Sequence, residues 1–159
     1  MCKELEIVKY YERLHNRHSD ENLSERKTSC TDAQGTYSRR YLELTDLQYC
    51  PSLYESFMRE DLRIVITRWR LSCFELAIET GRYHGTAREE RLCVFCDVVE
   101  DEHHAIFDCK AYDAIRREHE ELLRQNPTVK AFLNPKTKEI ANDVGRFLKL
   151  IEEERKSLA

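Results

Sequence analysis

Apolar residues recur along much of this chain at three- and four-residue steps, the repeat that places side chains on one face of an α-helix. Leu5, Val8, Tyr11 and Leu14 or His15 follow it, which predicts a short amphipathic helix over about residues 3–15. From Asn16 to Thr36 the apolar content almost vanishes. Residues such as Asp20, Glu21, Asn22, Arg26 and Lys27 bury too little surface to offset the entropy of ordering, so this stretch reads as a polar linker. The pattern divides the chain into residues 1–36, a helix and linker, and residues 37–159, a helical domain.

Within the second part, Ser52-Leu53-Tyr54-Glu55 has capping-box form after Cys50-Pro51 and predicts a helix start. Leu62, Val65, Ile66, Trp69, Cys73 and Leu76 continue at helical spacing as the strongest core stripe, and Gly81 is expected to stop that helix. Tyr112, Ile115, His119, Leu122 and Leu123 predict a further helix that Asn126-Pro127 must end. After Pro135, Ile140, Val144, Phe147, Leu148 and Ile151 mark a third face, followed by a charged tail from Glu152 to Lys156 that is expected to be solvated. Strand alternation is confined to a short Tyr41–Leu44 piece, with a turn at Cys93–Phe95. The fold class is therefore mainly α, a small helical domain.

With 159 residues, 41% hydrophobic content, four glycines and three prolines, the chain can build one modest core. Apolar runs such as Ile64-Val65-Ile66 fall far short of the roughly 20 residues that cross a bilayer, so no membrane association is expected. A net charge of -4 confines any nucleic-acid contact to a local patch. Seven cysteines lack disulfide-like spacing, and Met1-Cys2-Lys3-Glu4 opens an amphipathic stretch rather than a signal peptide. A reducing intracellular setting, nuclear or cytoplasmic, is expected, with Cys2, Cys30, Cys50 and Cys73 as thiols filling small apolar spaces.

The remaining three cysteines have a different pattern. Cys93, Cys96, His104 and Cys109 form a Cys-x2-Cys-x7-His-x4-Cys array, enough to close a tetrahedral shell around a structural Zn²⁺ that staples the loop of residues 82–117. His103 competes for the imidazole position; His104 is preferred because it lies closer to Cys109. A Cys-x-x-Cys redox centre would sit in a βαβ context, which is missing around Cys93. Metal binding should be linked to folding, so that chelation loosens residues 82–117 first.

The surroundings of the array resemble the C-terminal zinc-binding region of non-LTR (LINE-type) retrotransposon reverse transcriptases. The likeness runs through Thr67-Arg68-Trp69-Arg70-Leu71-Ser72, Leu76 to Tyr83, Arg88 to Cys96, Val99 to His104, Cys109, Tyr112 and Arg116, roughly residues 60–117. Departures are Cys73 or Phe74 where the family often has histidine, and Lys110 where proline is common. The resemblance implies an accessory role in engaging RNA or DNA. No Tyr/Phe-x-Asp-Asp motif and no adjacent aspartates occur, so the clustered carboxylates of magnesium-dependent polymerisation are missing and no enzyme activity is expected.

Asp97, Glu100, Asp101 and Glu102 would repel phosphate from the metal loop, leaving Arg82, Tyr83, Arg88 and Arg91, with His84, Arg68 and Arg70, as the candidate nucleic-acid surface. Against that stands an internal use, in which Arg82 or Arg91 pairs with Glu79, Glu100 or Asp101. Any RNA or DNA affinity is then weak and salt-sensitive. The alternative function is a zinc-stapled protein-interaction module that docks a partner helix on the apolar faces of residues 3–15 and 140–151.

Overall fold

The computed structural model describes Leu44 and residues 58–158. The expected helix at 3–15, the polar linker and the capping box at Ser52 lie outside the described residues. Leu44 itself is helical and buried rather than part of a strand, and its carbonyl accepts from Asn134 Nδ2 at 3.0 Å.

Helix α1, Glu60–Arg70, carries Glu60 and Asp61 in its first turn and Arg68 and Arg70 in its last, each complementing the helix dipole. Its inner face is the expected stripe of Leu62, Val65, Ile66 and Trp69, with Trp69 wholly buried. The stripe does not continue as helix to Leu76. The chain leaves the helix at Leu71 and Ser72 takes φ of 50°, held there by a 2.6 Å hydrogen bond from its Oγ to the buried Glu102 carboxylate. Phe74 then folds back and stacks on Trp69 at 4.7 Å, so the apolar residues after the break still reach the core.

Helix α2, Ala77–Tyr83, runs through Gly81 instead of stopping there. The reason for glycine is a close approach. A Cβ at position 81 would lie 2.6 Å from Arg91 Cγ and 2.9 Å from its Cδ.

Beyond the metal loop, the helix expected over residues 112–126 is two: α3, Asp113–Glu118, and α4, Glu120–Gln125. They meet at His119, whose φ of -118° and ψ of 24° interrupt the helix while its ring packs edge-on against Phe147 at 5.5 Å. Pro127 ends α4 as expected, because the residue before a proline is pushed out of the helical region. A short helix α5, Val129–Leu133, follows, with Thr128 Oγ1 accepting from the Ala131 N–H at 3.1 Å. Its Phe132 and Leu133 are fully buried.

Helix α6, Lys138–Leu158, is 21 residues long, and it forms the main helix pair with α1. Ala141, Val144, Phe147, Leu148 and Ile151 are all fully buried against α1 and α5, so the face of residues 140–151 is core and not a docking surface. The charged tail also begins later than expected. Glu152 is buried and pairs with Arg68 at 3.2 Å; burial pushes its carboxyl pKa up. The described residues are thus mainly helical, with one isolated antiparallel bridge between Leu92 and Val99. No helix among them is long and apolar enough to cross a membrane.

Gly145 marks the closest approach of α6 to α1: a Cβ there would lie 2.8 Å from Leu62 Cβ and 3.3 Å from the Leu62 carbonyl oxygen. Neither atom can swing away, so the helix-propensity gain of about 1 kcal/mol from alanine is outweighed by the cost of separating the helices. Gly145→Ala should destabilise the protein by about 1–3 kcal/mol in urea denaturation followed by circular dichroism. An unchanged or raised midpoint would contradict this packing.

Candidate metal centre

Cys93 and Cys96 lie on a tight hairpin turn closed by the Leu92–Val99 bridge. The Cys93 N–H donates to the Val98 carbonyl at 2.7 Å, and the N–H groups of Cys96 and Asp97 both turn back to the Cys93 carbonyl, at 3.3 and 3.0 Å. Asp97 completes the turn at φ of 58°, a left-handed conformation that aspartate tolerates better than most residues. The two-residue spacing between cysteines is what lets such a turn bring both sulfurs to one side.

His104 and Cys109 come from a wider helical turn, His104–Asp108. In an α-helix, residues five apart point well away from each other, since 3.6 residues complete a turn. Here the Cys109 N–H bonds the His104 carbonyl at 2.7 Å, an i to i+5 closure of π type, which returns Cys109 to the side of His104. Asp101 starts this turn, its Oδ1 accepting from the His104 N–H at 3.0 Å and its carbonyl from the Ala105 N–H at 3.0 Å.

These two substructures bring Cys93, Cys96, His104 and Cys109 together, with all four ligand atoms within 4.8 Å of one another. The Cys109 sulfur is 3.7 Å from that of Cys93 and 3.9 Å from that of Cys96. Such separations are far from the roughly 2.05 Å of a disulfide, and they match the roughly 3.8 Å edge of a tetrahedron whose metal–sulfur bonds are about 2.3 Å. His104 Nε2 is buried without a hydrogen-bond partner among protein atoms, a costly arrangement unless the nitrogen binds something else. The Lys110 N–H donates to Cys96 Sγ at 3.3 Å, fixing that sulfur toward the cluster. His103, the competing imidazole, is exposed and lies 3.1 Å from Asp108, outside the cluster.

Electrostatics fit the same use. Burial lowers the His104 pKa, keeping the ring neutral and able to coordinate. Burial, with the Cys93 and Cys96 thiols beside it, pushes the Cys109 thiol up to about 12. A divalent cation among the three sulfurs would displace their protons as it binds. The group can therefore hold a metal ion in a filled, largely buried shell, which leaves no open position for substrate.

The loop carboxylates do not form the acidic surface expected from the sequence. Glu100 and Glu102 are buried, at 2% and 1% exposure, and Asp101 is half-buried; Asp97 alone is exposed. Glu100 receives Arg155 Nη1 from α6 at 2.5 Å and the Ala77 N–H of α2 at 2.7 Å, tying both helices to the segment after the cysteine turn. Nothing in the local sequence signals this contact, because its partners are 55 residues apart.

The candidate nucleic-acid residues are similarly drawn inward. Arg82 pairs with Glu79 at 2.5 Å, and Arg91 spends its guanidinium on the carbonyls of Thr86 and Ile78 at 2.7–3.0 Å. Arg88 is the most open of the three arginines, with 55% of its side chain exposed and a loose 3.5 Å contact to Asp101. Tyr83 is exposed, with the Arg82 guanidinium over its ring. Arg68 and Arg70 point to Glu152 and to Leu133 and Asn134, and so serve the core.

Two substitutions separate the histidines. His104→Ala should abolish stoichiometric metal binding, measured by elemental analysis of the purified protein, while His103→Ala should retain it; equal loss in both would refute the assignment. Gly81→Ala should displace Arg91 from its carbonyls and lower stability by about 1–3 kcal/mol, read from the denaturation midpoint. No known protein family, curated protein or solved structure matches this chain.

Proposed function

We propose that this protein is a non-catalytic, zinc-stapled accessory module derived from a non-LTR retrotransposon reverse transcriptase, with weak, salt-sensitive contact to RNA or DNA. The observation that carries the zinc reading is the convergence of three sulfurs at tetrahedral spacing on a buried imidazole nitrogen with no other partner. Thiolate-rich sets select zinc, copper(I) or iron–sulfur clusters, and a closed three-sulfur, one-nitrogen shell suits a structural zinc ion. The retrotransposon origin rests on the ordered motifs around the array, and the accessory role on the absence of clustered aspartates.

The inward arginines limit the nucleic-acid part. With Arg82 and Arg91 engaged, Arg88 and Lys110 are the main cations left near the site, so few counterions would be released on binding. A second reading, a zinc-stapled protein-interaction module, is favoured by a different observation: Leu92, Val94, Phe95 and Val98 are all exposed on the cysteine turn.

Purified protein should contain one zinc ion per chain, and cobalt substitution should give the intense visible bands of a tetrahedral thiolate site; less than half an equivalent after reconstitution would end the zinc reading. Zinc should leave as pH falls from about 7.5 to about 5.5, because protons compete for the thiolates and the imidazole. His104 adds to this. Its pKa is lowered from 6.5 in the folded chain, so its contribution to stability is full above that value and is lost on acidification as the unfolded chain takes up the proton. A flat metal content across that range would contradict the assignment. For single-stranded RNA, the slope of log affinity against log salt should be no steeper than about -2. A slope steeper than about -4 would show a cationic surface that these residues do not supply.

A further inference from the structure

The cysteine turn is unusual for its surface. Of the seven exposed large hydrophobic residues among the described residues, four, Leu92, Val94, Phe95 and Val98, fall within seven consecutive positions. Scattered exposed apolar residues are ordinary, but a contiguous group on a fixed backbone marks an interaction site. Val94 is 84% exposed, and nothing in the fold uses it. The backbone beneath is fixed by the hydrogen bonds of the turn and would be fixed further by a metal ion on Cys93 and Cys96, so ordering costs on binding are small.

The bridge also leaves an open edge. The bonds from Cys93 to Val98 and from Glu100 to Arg91 flank the Leu92–Val99 pair. In antiparallel pairing such a flanked pair directs its own N–H and C=O groups outward, away from the hairpin. Neither residue bonds these groups elsewhere among the described residues. An edge of this kind accepts an added extended strand, with neighbouring apolar side chains giving it pockets.

Charge selects the partner. Glu89, Glu90 and Asp97 are exposed and form no ion pair among the described residues, and they flank the apolar group in sequence on both sides. Of the cations nearby, Arg82 is held by Glu79 and Arg91 by backbone carbonyls, while Arg88 leans loosely on Asp101 and Lys110 is exposed beside Cys96, so the three exposed carboxylates outnumber the open cations. A polyanion finds carboxylates here, whereas a basic, apolar segment finds complementary charge.

We infer that the metal-stapled turn of residues 92–99 docks an extended peptide segment with an apolar centre flanked by lysine or arginine, which would add as a strand along the exposed Leu92 edge. This deepens the protein-interaction reading of the same site by naming its partner chemistry.

The test uses the full chain loaded with zinc and a fluorescein-labelled heptapeptide with three central β-branched residues flanked on each side by two lysines. The control peptide carries glutamates in place of the lysines. Fluorescence anisotropy should show the lysine peptide binding at least about tenfold more tightly than the glutamate peptide. Val94→Ser and the double variant Glu90→Gln with Asp97→Asn should each weaken it at least about fivefold while zinc content stays at one equivalent, which shows the turn intact. Equal affinity for both peptides, or unchanged affinity in both variants, overturns the inference. So does displacement of the peptide by single-stranded RNA, or Val94-dependent self-association in sedimentation without peptide binding, each of which would assign the surface to another occupant. Zinc binding without peptide binding defeats the docking inference and leaves the metal reading standing. Peptide binding by a chain that holds no zinc does the reverse.

Discussion

Three sulfurs within a few ångströms of one another, two of them buried, are the constraint around which the middle of this protein is arranged. Cys93 and Cys109 are 2% and 1% exposed and belong to the same apolar core as Trp69, Tyr112 and Phe147. Without a cation nothing but weak sulfur contacts joins the three side chains. With one, they and His104 lock a hairpin turn to a π-type turn, and the segment of residues 92–109 becomes a single body. Two substructures that are too short to be stable alone are thereby held at fixed separation.

What fastens that body to the helices is a set of buried polar contacts. Glu100 binds Arg155 and the start of α2, Glu102 takes the Ser72 hydroxyl at the end of α1, and Asp101 caps the turn that carries His104. Of the four loop carboxylates that the sequence suggests as surface charge, all but Asp97 are spent on a backbone N–H, a hydroxyl or a guanidinium. Buried acids need such partners, and the short loop has its donors supplied by distant elements. Ser72 accepts an unusual backbone conformation for the same reason: its hydroxyl is the partner Glu102 needs.

The same economy explains the arginines. Arg91 crosses the face of Gly81 to reach two carbonyls, and Arg82 turns onto Glu79, one helical turn before it. A guanidinium with five donors is well suited to closing loops of this sort. The consequence is a site whose outward surface is apolar at its tip and carries exposed carboxylates at its margins, with Arg82 and Arg91 folded underneath.

Much of this was legible in one dimension. The cluster of Cys93, Cys96, His104 and Cys109 that could hold a metal ion could be read from spacing, because a two-residue gap between cysteines and the downstream imidazole and thiol are local requirements of a tetrahedral ion. The inner faces of α1 and α6 and the end of α4 at Pro127 could be read from periodicity and proline sterics, which are also local. The break after Leu71, the passage of α2 through Gly81, the helix at Val129–Leu133 and the burial of Glu152 could not. Each depends on a partner far along the chain, Glu102 for Ser72 and Arg68 for Glu152, or on a close approach such as Arg91 over Gly81. Local patterning determined which residues can bind a metal and which faces must be buried; only the tertiary structure decided which charges face inward, since hydrogen-bond donors and acceptors are matched in space and not along the sequence.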